Sequence, residues 1–246
     1  MSKNKWRVNF SIATARTPAT VVELLEGIPI NLPMIVMNGA STYDIKNDKY
    51  LDIKYIEAAA VEKMLGVIEE SEQNAFIYCI EEDHIYTYYS NLENQAQEAF
   101  YKQRKNNSRK TFMRERISRE MPVVYFVLID TENKIKEFYE KIKNIEGIKG
   151  IAYKDVYLED TYYLEIYQSD VSKAQAIKAV KVEYGFDKVV CFGDNLNDIP
   201  MFELSDEGYA VENAKEEVKQ IATGIIGGND KDGVVKFLSK INVKTY

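Results

Sequence analysis

Cysteine is scarce: two of 246 residues, Cys79 and Cys191, each inside a short apolar run. Such a pair supports neither a disulfide framework nor a cysteine zinc site, and it fits a reducing compartment. No apolar run approaches the roughly 20 residues that span a bilayer, and Met1 to Phe10 contains no signal-peptide core, so the expectation is a soluble, cytoplasmic protein. Positive charge is also in deficit. Lys and Arg number 32 against 39 Asp and Glu, for a formal charge of -7, and such a surface repels a polyanion, so nucleic acid is not the default partner. Internal repeats and low-complexity tracts are missing as well. What is present, 46% hydrophobic and 29% charged residues, suits one or two soluble domains with a substantial core.

Short β-branched and aromatic runs alternate with helical periodicity, the pattern of an α/β fold. Residues 8–14 (VNFSIAT) read as a strand, followed by a loop at Arg16, Thr17 and Pro18 and a helical pattern through Val21 to Leu25. Residues 34–37 (MIVM) read as a second buried strand closed by the turn Asn38-Gly39. From Ala40 the character changes. Phe76 to Ile80 and Ile85 to Tyr89 flank a turn that holds His84, the only histidine, and tyrosines line the strands. Helical periodicity over 58–68 and 135–145 and strands over 123–129 and 162–167 complete an α+β module. Beyond Ser172 the first pattern resumes, with a helix, the strand VVCF (189–192) and a loop at Gly193 to Asp198. The expected organisation is a core domain formed by 1–39 and 168–246, with residues 40–167 inserted.

The densest chemistry lies in Gly193-Asp194-Asn195-Leu196-Asn197-Asp198, where a buried strand runs into a helix. Ligands of open α/β sheets sit at such carboxyl ends, and two carboxylates with neighbouring amides offer hard oxygen donors suited to Mg2+. The same residues would also serve as a helix-capping turn. Thr14 ends the first strand with Arg16 just beyond, a hydroxyl and a cation able to hold a phosphate oxygen, or else a helix cap. Lys173 begins a helix, where a cation opposes the dipole and points to an anion that needs neutralising, or is simply solvated. The glycine-rich acidic segment 227–233 could line a site or simply turn.

Ala13-Thr14-Ala15-Arg16, Asn38-Gly39, Ser172-Lys173, Gly193 to Asp198 and Gly228-Asn229-Asp230-Lys231-Asp232-Gly233-Val234 together resemble the Cof-type branch of the haloacid dehalogenase (HAD) superfamily, in this order and over nearly the whole chain. The resemblance implies a Rossmann-like core with a parallel sheet and an inserted α+β cap. It also implies a Mg2+-dependent phosphatase acting on small phosphorylated metabolites, such as sugar phosphates, through a phospho-aspartate. By position, it implies that Thr14 holds the phosphoryl group, Lys173 neutralises charge, Asp194 ligates Mg2+ and Asp198 supports the metal. Arg16, Asn38, Gly39 and Asn197 would contact substrate. Ala15 stands where the family's threonine motif has glycine.

One departure is larger. The family's first motif, Asp-x-Asp-Gly-Thr, ends a central strand and supplies the nucleophile and the general acid/base, yet no aspartate precedes Asp44. The strand that carries it would lie between those ending at Thr14 and Gly193. Three accounts are open: a start at an internal methionine, a remnant that binds phosphorylated ligands or partners without catalysis, or partial replacement by Lys5 to Phe10. The expectation is the family's lineage with impaired catalysis. Residues 102–119 hold eight Lys or Arg with Phe112 and Met113 interleaved; a solvated helix and loop is preferred over a nucleic-acid contact. Tyrosines 86, 88, 89, 162, 163 and 167 read as sheet surface, and His84 as a turn residue.

Overall fold

The computed structural model describes residues 9–155 and 158–240, so Val8 of the first expected strand, and residues 5–8 of the segment weighed as a replacement strand, lie outside them. The described chain forms two compact units. One comprises 9–15, 28–39 and 172–240; the other comprises Arg16–Gly27 and Ala40–Val171.

In the smaller unit, residues 10–14 run beside the buried strand Met34–Val36. The Ile35 N–H donates to the Ile12 carbonyl (2.8 Å) and the Thr14 N–H to the Ile35 carbonyl (2.9 Å), a parallel bridge centred on Ala13. The expected strand 34–37 stops at Val36, because Met37 and Asn38 turn into left-handed backbone at φ 50° and 56°. A second parallel group follows in the order Val190–Gly193, Glu207–Val211, Gly224–Ile226. Parallel neighbours require crossovers, supplied here by helices Ile199–Leu204 and Glu216–Ile221. Cys191, Met201, Phe202, Ala210, Val211 and Val218 form the core between these layers, and Ala13 and Ile177 pack against it, which joins the two strand groups. Ile177 lies on the helix Lys173–Tyr184, which Ser172 caps by accepting the Gln175 N–H (3.1 Å) and Gly185 ends in left-handed conformation.

The larger unit is built on a six-stranded sheet in the order Lys110–Met113, His84–Tyr88, Ala75–Glu81, Val123–Asp130, Tyr162–Gln168, Ile148–Lys154. Its pairings are antiparallel except for the first. Helices Ala58–Glu70 and Glu132–Ile142 bury Ala60, Val61, Met64, Ile135, Phe138 and Ile142 against Ile77, Phe126, Leu128, Leu164 and Ile166 on one face. The opposite face is aromatic: Tyr78, Tyr125 and Tyr167 stack at centroid distances of 4.1 and 5.0 Å, and Phe100 of helix Gln95–Arg104 lies 4.7 Å from Phe76.

Several expectations are corrected here. Tyr89 and Tyr167 are core, not sheet surface, because both faces of this sheet are covered. His84 opens a strand, its Nε2 2.9 Å from the Thr111 hydroxyl, and the turn is Glu82-Asp83. The basic stretch 102–119 is not a uniform solvated face. It contains the strand Lys110–Met113, and Lys110 is buried with its ammonium 4.8 Å over the Tyr78 ring. The hairpin Ser41–Asp44 with Lys49–Ile53 and the strand Ile148–Lys154 carry no alternation strong enough to mark them in sequence.

Candidate active site

Lys173 is the first residue of its helix and only 7% exposed, and its ammonium lies 2.6 Å from Asp198 Oδ1. Asp198 is itself buried. Its other oxygen accepts the N–H groups of Asp194 (3.0 Å) and Asn195 (3.1 Å), closing a capping box over the turn Leu196–Asp198. The chain folds back this tightly because Gly193 has no side chain: a Cβ there would meet the Asp198 carboxyl group at 2.8 Å. The cation at the helix start, which pointed to an external anion, therefore meets its counter-charge within the fold. Asp198, expected to support a metal, has both oxygens engaged.

Asn38 and Gly39 close the neighbouring edge. The Asn38 N–H donates to the Thr14 carbonyl (3.0 Å), and its side-chain oxygen accepts from the Asn197 amide (3.4 Å). Gly39 (φ 96°) passes so close to the helix start that a Cβ would stand 2.3 Å from the Ser172 carbonyl oxygen. Thr14, Asn38, Gly39, Lys173, Asp194, Asn197 and Asp198 thus gather at the carboxyl ends of two parallel strand groups, while Arg16 belongs to the other unit. Asp194 is exposed, and its carbonyl accepts the Lys215 N–H (2.8 Å). Sequence reasoning missed Lys215, whose contribution is a backbone donor that any residue type provides. It also missed Asn213, whose side-chain oxygen accepts the Asn229 N–H (3.0 Å) and ties the 227–233 segment to the adjoining strand.

Burial pushes the Cys191 thiol up to about 11, which removes it as a nucleophile at neutral pH. Hard-cation chemistry needs several oxygen donors. Among the described residues no three His, Cys, Asp or Glu side chains converge as a metal group, and with Asp198 committed to Lys173, Asp194 is the carboxylate of this loop that faces solvent. Mg2+ usually takes one or two protein carboxylates and keeps water and substrate oxygens as its other ligands, and the exposed Asp194 carboxylate fits one position of such a site.

Residues 4–238 match the family model described as haloacid dehalogenase-like hydrolase. Among curated proteins, a provisionally assigned phosphatase of Mycoplasma pneumoniae is 26% identical over 97% of this chain and 86% of its own length. The pyridoxal phosphate phosphatase YbhA of Escherichia coli is 23% identical over 92% of this chain and 84% of its own. Among solved structures, the HAD subclass IIB sugar phosphatase BT4131 superposes with a TM-score of 0.69 at 22% identity, covering 94% of this chain and 85% of that one.

Proposed function

Because the chain belongs to the haloacid dehalogenase-like hydrolase family, we propose that the cluster around Lys173 and Asp198 is the phosphoryl-binding half of a site for small phosphorylated metabolites, used in Mg2+-dependent phosphomonoester hydrolysis in the cytoplasm. The observation that carries this reading is the buried Lys173–Asp198 pair at the carboxyl ends of the parallel strands, with Asp194 exposed beside it. In this reading Asp198 positions Lys173, and the lysine offsets charge that develops on the phosphoryl oxygens. The Thr14 hydroxyl donates to a phosphoryl oxygen, and Asn38, Gly39 and Asn197 orient the substrate. Asp194 is the residue that would hold Mg2+, which when bound supplies Lewis-acid polarisation of the phosphoryl group. The phosphatases that resemble this chain include one named for pyridoxal phosphate and one named for sugars, which supports a small phosphomonoester as ligand.

The internal pairing of Lys173 with Asp198, which leaves Asp194 as the exposed carboxylate of the loop, favours a second reading, a site that binds such ligands without turning them over. Phosphate release from a panel of sugar phosphates and pyridoxal phosphate, with and without Mg2+, separates the two when run beside Asp194→Asn. Metal-dependent release lost in the variant supports the hydrolase. Ligand-induced stabilisation without release supports the binder, and neither effect in a folded chain refutes both.

A further inference from the structure

In the six-stranded sheet of the larger unit, Phe112 pairs with Thr87, Thr87 with Tyr78, and Lys110 with Ile85. Paired residues share a face, as do residues two apart, so Lys110, Phe112, Thr87 and Tyr78 lie together on the aromatic side. Lys110 is 3% exposed there, its ammonium 4.8 Å from the Tyr78 ring centre and 5.8 Å from that of Phe112. Ring faces attract a cation, but an ammonium has three N–H donors and these rings offer no oxygen to receive them. Among the described residues no carboxylate pairs with Lys110 and no acceptor takes its N–H groups. Glu165, a buried carboxylate of the same face, is engaged by the Tyr153 (2.8 Å) and Tyr167 (2.9 Å) hydroxyls.

Two further groups on this face have the same deficit. The Arg104 guanidinium stacks 4.1 Å over Phe100 and donates to the Phe100 carbonyl (3.3 Å) and the Gln103 side chain (3.1 Å), with no carboxylate partner among the described residues. Thr87 is fully buried, and its hydroxyl has no hydrogen-bond partner among the described residues. Burial, and after it the charge of Arg104, pulls the Lys110 ammonium down to about 7, so near neutral pH a large share of the chains carries a free amine at this position. Two cations without a counter-ion and a hydroxyl donor without an acceptor thus share one face, in a chain of net charge -7. What all three lack is an anionic oxygen.

We propose that Lys110 is a carbamylation site: carbon dioxide adds to its amine, and the carbamate oxygens so formed are held by Arg104 and the Thr87 hydroxyl. The nitrogen lone pair forms a bond to the carbon of CO2, the electron pair of one C=O bond moves onto its oxygen, and a proton leaves the nitrogen for water, with no change of oxidation state. A lysine desolvated among apolar groups and set beside another cation is an activated nucleophile. The co-reactant follows from the burial, because CO2 is small and uncharged and can reach an amine that larger acylating reagents cannot. The product carries -1 where the ammonium carried +1, so repulsion between Lys110 and Arg104 becomes attraction, and the orphan hydroxyl gains a charged acceptor. Lys110, Arg104 and Thr87 all belong to the larger unit, and the modification is independent of the phosphoryl-binding reading.

The test places the full chain at pH 8 in isotopically labelled bicarbonate, with sodium chloride of equal ionic strength as the control. Carbamates are fixed as esters with a trialkyloxonium salt and located by peptide mass mapping of the unsubstituted chain, so the assignment does not depend on any variant folding. The label should fall on Lys110. The urea midpoint of the larger unit, followed by exchange of the Phe126 and Leu128 amides in its central strand, should rise by about 0.7 M at a CO2 concentration ten times the dissociation constant. Lys110→Met should show no such rise. Thr87→Val removes the unpaired hydroxyl, keeps the side-chain shape and should weaken CO2 binding by about tenfold. Label confined to other lysines or to the amino terminus at saturating bicarbonate, a midpoint shift of equal size in Lys110→Met, or unchanged CO2 binding in Thr87→Val would each overturn the proposal.

Discussion

Replacement of Lys173 by methionine removes the ammonium and keeps most of the apolar stem. Asp198 is then left buried, without the partner at 2.6 Å, among neighbours packed around a charged group. Breaking a buried ion pair from one side typically costs about 3–5 kcal/mol. Asp198 keeps two backbone N–H donors, from Asp194 and Asn195, so the low end applies and the expected loss is about 3 kcal/mol. At a urea dependence of about 2 kcal/mol/M this lowers the unfolding midpoint of the smaller unit by about 1.5 M. Because the two units need not unfold together, the assay should follow the exchange of Cys191, Ala210 and Val218 amides, all in the smaller unit, across a urea series. The double variant Lys173→Met/Asp198→Asn removes both charges and keeps an acceptor for the two N–H groups. It should be more stable than Lys173→Met alone by about 1–2 kcal/mol. A loss below about 1 kcal/mol in the single variant, the value of an exposed pair, or no recovery in the double, would refute the view that burial gives this pair its weight.

Burial, with a smaller contribution from Arg104, pulls the Lys110 ammonium down to about 7. Between that value and the unfolded one near 10.4, the unfolded chain holds a proton that the folded chain does not, so stability should rise with pH over that window and carry the full penalty below about 7. Lys110→Met should therefore stabilise the protein at pH 6 by roughly 3–5 kcal/mol and flatten the urea midpoint between pH 7 and 10; a variant less stable than the parent at pH 6 would contradict this. Gly39→Ala combines a φ of 96° with a Cβ 2.3 Å from the Ser172 carbonyl oxygen, and should lose roughly 2–4 kcal/mol by thermal or urea unfolding. The Tyr50 hydroxyl is buried with no hydrogen-bond partner among the described residues, so Tyr50→Phe should be neutral or stabilising by about 1 kcal/mol in the same assay; a clear loss would reveal a partner, such as an ordered water.

Much of the fold was legible because it follows from local periodicity. The strands at 34–36, 75–81, 123–130, 162–168 and 190–193 are dominated by apolar or aromatic residues, and the helices at 58–70 and 132–142 place apolar residues every three or four positions. Lys110–Met113 was hidden because its first residue is a lysine inside a basic stretch, and no local rule says that an ammonium will be buried over an aromatic ring. Tyr167 and Tyr89 were misjudged for a related reason. Alternation says which residues share a face but not whether a second layer covers it.

At the site, order and residue type marked Thr14, Asn38, Gly39, Lys173, Asp194, Asn197 and Asp198 as a set. Roles within the set needed the fold. Lys173 and Asp198 are 25 residues apart, and only the return of the chain over Gly193 brings them to 2.6 Å, satisfies the lysine internally and leaves Asp194 as the exposed carboxylate. Arg16, two residues from Thr14, falls in the other unit. Amino-acid order alone determined the layer pattern and the stock of polar side chains, since these depend on contacts a few residues apart. Tertiary structure decided which charges neutralise one another and which carboxylate stays exposed, since Coulomb energy and hydrogen bonding depend on separation in space.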